Sequence, residues 1–281
     1  MLVALGLIGS TRAPLNSIVR NRDRRRSPIV FALIAVMSAA LPGTALLRGA
    51  QIGIDAVHGF DAASTLATGS SFSSFRATIT GQGNTIVPLT SFDAANLAGL
   101  DGVILLIPYS QNSANYTPSQ MIALQAFAQR AVFTSDSSLW TDSGSDRPIG
   151  FGDNLQLLKN SVNFISAKGI LAIGDDGSGF QVANFNALVA PFGITYSDTP
   201  TDPSGRTVTG FVAHPVTAGI STLGVDFQLP MTVNSPAIDL TIGSGQDNIL
   251  AAVTVPEPST LALAAFGFAG LAAWGWRRKR A

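Results

Sequence analysis

The sequence predicts an α/β body, a mostly parallel sheet with helices on both faces, on a chain with an apolar helical segment near each end. Three observations carry this. Short apolar runs alternate with helix signals over residues 51–189, the order that builds strand-helix-strand units. One run, 103–107, is apolar without a break, as a strand covered on both faces must be. The 281 residues include no cysteine, so the fold rests on a core large enough to need no disulfide.

Residues 51–57 open the body as an apolar strand that turns at His58, Gly59, Phe60 and Asp61. The stretch 64–80, rich in Ser, Thr and Phe, is expected to be helical until Gly81 and Gly83 stop it, with a second strand at 85–89. A short helix at 93–100 precedes the central strand, 103–108. Thr117, Pro118 and Gln120 supply a capping threonine, a proline at the first helical position and a glutamine three residues past the cap. Met121, Leu124, Phe127 and Ala128 share one face of that helix, which should run to about Arg130. Strand 131–134 ends at Ser135 and Asp136. Asp153 is expected to cap a helix with Leu155, Leu158, Val162 and Ile165 at helical spacing. Residues 169–173 form another buried strand ending in Gly174, Asp175 and Asp176, and 181–189 one more helix. Past Thr195, turn residues and Thr/Val alternation predict a mixed or antiparallel part of the sheet, with strands at 207–212, 226–233 and 249–253.

The ends differ from the body. Arg20, Arg22, Arg24, Arg25 and Arg26 precede an apolar run at 29–41 and then small residues at Gly43, Thr44 and Ala45, the layout of a secretory signal peptide read by the Sec translocon and signal peptidase. Cleavage fits after Ala40 or Ala45, and Ala45 is preferred. Residues 1–19 fit badly before a charged leader, so translation is expected to begin near Val19. At the other end stand Pro256, Glu257 and Pro258, then sixteen uncharged residues at 261–276, then Arg277, Arg278, Lys279 and Arg280. As a helix, 261–276 is roughly 24 Å long, slightly short of a comfortable membrane span. The four cations would hold their end in the cytoplasm and place the body outside. The domain plan is therefore 1–45 extension and signal peptide, 46–254 body, 255–281 tail.

This three-part ending resembles the PEP-CTERM sorting domain of Gram-negative bacteria. The resemblance implies recognition by an exosortase, a membrane-embedded cysteine transpeptidase-like enzyme. It also implies cleavage near Pro256, Glu257 and Pro258, and release or transfer of the body to the envelope. Such proteins are typical of bacteria that secrete exopolysaccharide, which makes that polymer an expected partner.

The net charge of zero conceals an asymmetry. Residues 51–255 hold 15 aspartates, no glutamate and six cations (Arg76, Arg130, Arg147, Lys159, Lys168, Arg206), a formal charge of −9. An acidic body argues against a nucleic-acid partner, because such binding is driven by Lys and Arg on phosphates. No cofactor is expected.

The order of strands and loops, with Val57-His58-Gly59, the run from Asp101 to Pro108, Thr117-Pro-Ser-Gln, Asn160-Ser-Val-Asn163 and His214-Pro-Val-Thr-Ala-Gly219, is similar to noncatalytic members of the glutamine amidotransferase-like, flavodoxin-type domains. The chemistry of their catalytic relatives needs a Cys nucleophile with His and Glu. This chain has no cysteine, and its one glutamate is Glu257 in the tail. Nor is there a Gly-x-Ser-x-Gly elbow for a serine nucleophile.

Parallel sheets bind ligands at the carboxyl ends of their strands. That places His58, Ser135, Asp136, Asp175 and Asp176 on one rim, and His58, Asp136, Asp175 and His214 are the candidate catalytic residues. The aspartates read more simply as turn and cap residues, and His58 before Gly59 more simply as a turn residue than as a base. The acidic loops 142–146 and 175–179 invite calcium but match no helix-loop-helix pattern, so no metal site is expected. Two function classes follow: a non-enzymatic binding or scaffolding protein of the envelope, or a hydrolase or carbohydrate-acting enzyme using His58, Asp136 and Asp175.

Overall fold

The computed structural model describes residues 49–58, 66–108, 115–134, 137–143, 148–174, 181–199, 206–226, 228–242 and 248–254, all within the unit Arg48–Ala281. The signal and tail helices expected at 29–41 and 261–276 lie outside the described residues, as do the sorting residues Pro256, Glu257 and Pro258 and the cations Arg277, Arg278, Lys279 and Arg280. Among the described residues, no helix is long and apolar enough to cross a membrane.

Seven strands make one sheet. Strands β1 (Gln51–Asp55), β2 (Thr85–Leu89), β3 (Gly102–Leu106), β4 (Ala131–Thr134) and β5 (Gly169–Ile173) run parallel in the order β2-β1-β3-β4-β5. That is the doubly wound, flavodoxin-type order, with its reversal between β1 and β3. Beyond β5 the chain adds β11 (Leu250–Thr254) and β10 (Ile238–Asp239), both antiparallel to their neighbours, which is the late antiparallel portion the turn-rich segment implied. Two small antiparallel pairs stand apart: β6 (Ile194–Tyr196) with β9 (Met231–Val233), and β7 (Arg206–Thr209) with β8 (Thr222–Val225). A strand over 226–233 does not form. Its alternation crosses Pro230, which has no N–H for a ladder, and β9 starts only at Met231.

Period-two alternation sorts the sheet into two cores. Ile52, Ile54, Ile104, Leu106, Val132, Leu171 and Ile173 face helices α1 (Ser73–Gly81) and α4 (Asn154–Ser166). Val103, Leu105, Ala131, Phe133, Ile170 and Ala172 face α2 (Ala94–Leu97), α3 (Pro118–Phe127) and α5 (Val182–Val189). Gly53 has no room for more, since a Cβ there would meet Leu100 and Leu89 at 2.7 Å.

The capping box of α3 forms as its residues require, with Gln120 N–H donating to Thr117 Oγ1 and Thr117 N–H to Gln120 Oε1. Asp153 does not cap α4. Its carboxylate accepts instead from the backbone N–H groups of Ser221 and Thr222, at 2.7 and 3.0 Å, tying the start of α4 to the start of β8. The buried face of α4 is also rotated from expectation: Leu157, Leu158, Val162 and Ile165 are buried, and Leu155 is half-buried. Helix α1 begins at Ser73 rather than Ser64. Its first turn is closed by a distant group, Asp142, which accepts from Ser73 N–H, Ser73 Oγ and Ser74 N–H.

Candidate site at the strand ends

Asp55 is the last residue of β1 and points to the α2/α3/α5 face, at the reversal of the sheet. It has no solvent exposure. A carboxylate there survives only if donors replace water, and five do. Oδ1 accepts from the N–H groups of Val57 and His58, each at 2.9 Å. Oδ2 lies 2.9 Å from His58 Nδ1, 2.9 Å from Tyr116 Oη and 3.3 Å from Leu106 N. The acceptor-only carboxylate puts the neutral imidazole's proton on Nδ1 and leaves Nε2 as its basic nitrogen.

Two rings close around the pair. His58, 4% exposed, packs on Tyr116 at 4.2 Å and on Phe92 at 5.4 Å, while Tyr116 and Phe92 meet edge to face at 5.1 Å. The Tyr116 hydroxyl stands 2.9 Å from both Asp55 Oδ2 and the Leu106 carbonyl, one proton between two acceptors. Burial, then the charge of Asp55 and its hydrogen bond, push the Tyr116 pKa well above the ordinary phenol value. Asn184 Nδ2 donates to the Tyr116 carbonyl and fixes the segment that carries the ring. The whole joins the ends of β1 and β3, where a doubly wound sheet places its ligands.

Of the residues expected on this rim, His58 is there. Ser135, Asp136, Asp175 and Asp176 lie outside the described residues, which stop at Thr134, the end of β4, and at Gly174, one residue past the end of β5. The acid at the centre of this site went unpredicted: Asp55 ends β1, and the local pattern places it simply inside a strand. Buried Gln228, whose Oε1 accepts from Arg206 at 3.3 Å, also joins this edge, because Leu229 N–H donates to the Gly174 carbonyl.

His214 stands elsewhere. It precedes the 3₁₀ turn Pro215–Thr217, accepts from Val216 N–H on Nδ1 at 3.2 Å, and packs edge-on against Phe164 of α4 at 5.1 Å. Phe164 crowds Gly169, the first residue of β5, so this histidine belongs to the amino-terminal edge of the sheet. Burial pushes its pKa down. The candidate histidines therefore do not form one site.

The acidic loop at 142 is engaged too. Burial pushes the Asp142 pKa up, but the hydrogen bonds from Ser73 and Ser74 outweigh it and leave the group below the usual carboxylate value. Among the described residues, no three His, Asp or Glu side chains converge to hold a metal ion.

Residues 254–279 match the PEP-CTERM protein-sorting motif. The chain carries a sorting signal. The motif marks an exported protein of a Gram-negative-type cell envelope, sorted through exosortase. No curated protein matches the chain. Among solved structures the "mmIFT52 N-terminal domain" is similar, at 14% identity and a TM-score of 0.43 over 70% of this chain and 78% of that one; so weak a likeness lends no support to the amidotransferase-like resemblance of the body.

Proposed function

We propose that the body is a non-enzymatic binding or scaffolding domain that works outside the inner membrane, associated with secreted exopolysaccharide or biofilm matrix, after its tail has delivered it there. The observation that carries the body's part is the state of Asp55. All five of its contacts are donors within the chain, and its histidine is enclosed by aromatic rings. Such a group spends its hydrogen-bonding capacity on fixing the rim. A rim held this rigidly suits a binding surface, whose affinity improves with preorganisation.

Two experiments test the proposal. A tagged body followed in cells with and without exosortase should change size and location; identical behaviour in both refutes the sorting. Affinity electrophoresis of the processed protein through gels containing the cell's own secreted polysaccharide should show retardation, and unaltered mobility would remove the polysaccharide link.

One feature favours a carbohydrate-acting hydrolase instead: the Asp55–His58 pair orients an imidazole with Nε2 as its basic nitrogen, as a general base requires. On that account Asp136 and Asp175 would complete the site. Release of reducing ends from the polysaccharide by the processed protein, abolished in His58→Gln, would establish it.

A further inference from the structure

Both ends of the described body lie on one edge of the sheet. Gln51 opens β1, Gly169 opens β5, and Thr254, the last residue of β11, pairs with Gly169. The tail thus leaves from the amino-terminal edge, opposite the Asp55 rim. It leaves without a linker, for Val255 alone separates Thr254 from Pro256. Consecutive Cα atoms are about 3.8 Å apart, so Pro256 lies within about 8 Å of Thr254 and Pro258 within about 15 Å, whatever path the chain takes.

A groove of about 460 Å³ opens at that exit. Asn160, Asn163 and Phe164 of α4, with Ala167 just past its end, form one wall, Pro215 and Ala218 the other, and Thr254 lines it as well. Asn160 Nδ2 donates to the carbonyls of Val216 and Ala218 at 2.8 and 2.9 Å and holds the two walls together. Its lining is uncharged, whereas residues 51–255 as a whole carry a formal charge of −9.

We infer that this groove is the seat of the processing enzyme, an uncharged docking face that the exosortase occupies while it acts on the tail. The inference rests on the exosortase sorting proposed above. An enzyme gripping residues 256–258 must overlie the surroundings of Thr254, because β11 is pinned: Val253 is 4% exposed and Leu250 to Thr254 pair with β5 throughout. A partner of matching chemistry is a neutral extracytoplasmic surface of that membrane-embedded enzyme. The groove then acts as a selectivity element beyond the tail, and the folded body is part of the substrate.

The test follows loss of a C-terminal tag from the full-length precursor in cells carrying exosortase. Ala167 and Ala218 are both exposed, so Ala167→Arg and Ala218→Arg fill the groove without entering the core, and thermal unfolding of the protein checks that the fold is intact. Each should slow processing by about fivefold or more, the effect of about 1 kcal/mol at an interface. Ile122→Arg, at a 69% exposed position on the opposite face, should process normally. A Gly/Ser linker of about six residues after Val255, with a reach of roughly 13 Å, should free the enzyme from the body and cancel the effect of both groove variants. Normal processing of the groove variants at native spacing overturns the inference and means that the end of β11 peels away instead. A wild-type precursor that keeps its tag equally with and without exosortase overturns the sorting itself.

Discussion

The two edges of the sheet are made by the same strands and end in opposite chemistry. At the carboxyl edge, polar groups are buried and paired: Asp55, His58 and Tyr116 knot β1 to β3 among aromatic rings. At the amino edge, Asn160, Phe164 and Thr254 frame an uncharged, open groove from which the chain departs. The contrast follows from strand direction. Parallel strands present all their carboxyl ends, and the loops after them, on one side. Antiparallel β11 then returns the chain to the other. An enzyme seated at the exit, as inferred above, leaves the carboxyl edge uncovered, so the proposed delivery and the proposed binding need not compete for surface.

The largest effects should come from the carboxyl edge. Asp55→Ala strips five donors of their acceptor inside the protein and should cost about 3 kcal/mol or more, since a buried group left without its partner costs about 1–3 kcal/mol, read as a lowered midpoint in urea unfolding. Asp55→Asn is the sharper variant. Every partner of Asp55 donates, so an amide must turn its NH₂ toward at least one other donor, and a loss of about 2 kcal/mol is expected despite the preserved shape. If Asn proved neutral, the knot would not depend on charge.

The amino edge has a steric counterpart. A Cβ at Gly169 would stand 2.3 Å from the Phe164 ring, so Gly169→Ala should cost about 1–3 kcal/mol through overpacking. Pairing it with Phe164→Leu should recover part of the loss, and a purely additive double mutant would break the argument that Phe164 sets this edge.

Tyr116→Phe comes next, at about 1 kcal/mol from the lost hydroxyl, and it carries a pH signature. The Tyr116 pKa is raised, so the folded protein keeps a proton that the unfolded chain loses above the ordinary value of 10.0. Stability is therefore present below pH 10 and falls as pH rises beyond it. Tyr196, buried with its hydroxyl on the Phe133 carbonyl, is raised by burial as well, so Tyr116→Phe should reduce this alkaline loss without abolishing it.

These contrasts track what the sequence could reveal. The capping box at Thr117, the apolar run of β3 and the helix-strand alternation are local grammar, and each appears where its residues put it. The Asp55 knot is only partly local: Val57 and His58 are two and three residues away, but its contacts to Leu106 and Tyr116 span 51 and 61 residues, and it is these that bury the acid. Asp153 shows the same limit from the other side. Its position has the grammar of a helix cap, yet two N–H groups from β8 and the residue before it, 68 and 69 residues away, win its carboxylate. His58 was legible because it follows a strand, whereas the place of His214 depended on the packing of α4 against the 3₁₀ turn.

The smallest effect belongs to that second histidine and tests whether the amino edge is truly neutral. Burial lowers the His214 pKa from 6.5. Below about pH 6.5 the unfolded chain takes up a proton that the folded one resists, so stability declines as pH falls toward the lowered value and then levels off. Asp93, held below the ordinary value by the N–H of Asn96 and by Ser91, and Asp153, held there by Ser221 and Thr222, act in the same direction only below pH 3.8, which keeps the two windows apart. His214→Asn is the discriminating variant, because an asparagine can still accept from the Val216 N–H as a cap but cannot titrate. Thermal unfolding followed between pH 7 and 5 should show a shallower decline in the variant than in the parent. Equal slopes would mean that the edge does not resist charge at this point, and would remove electrostatic neutrality as a reason for an uncharged partner to sit there.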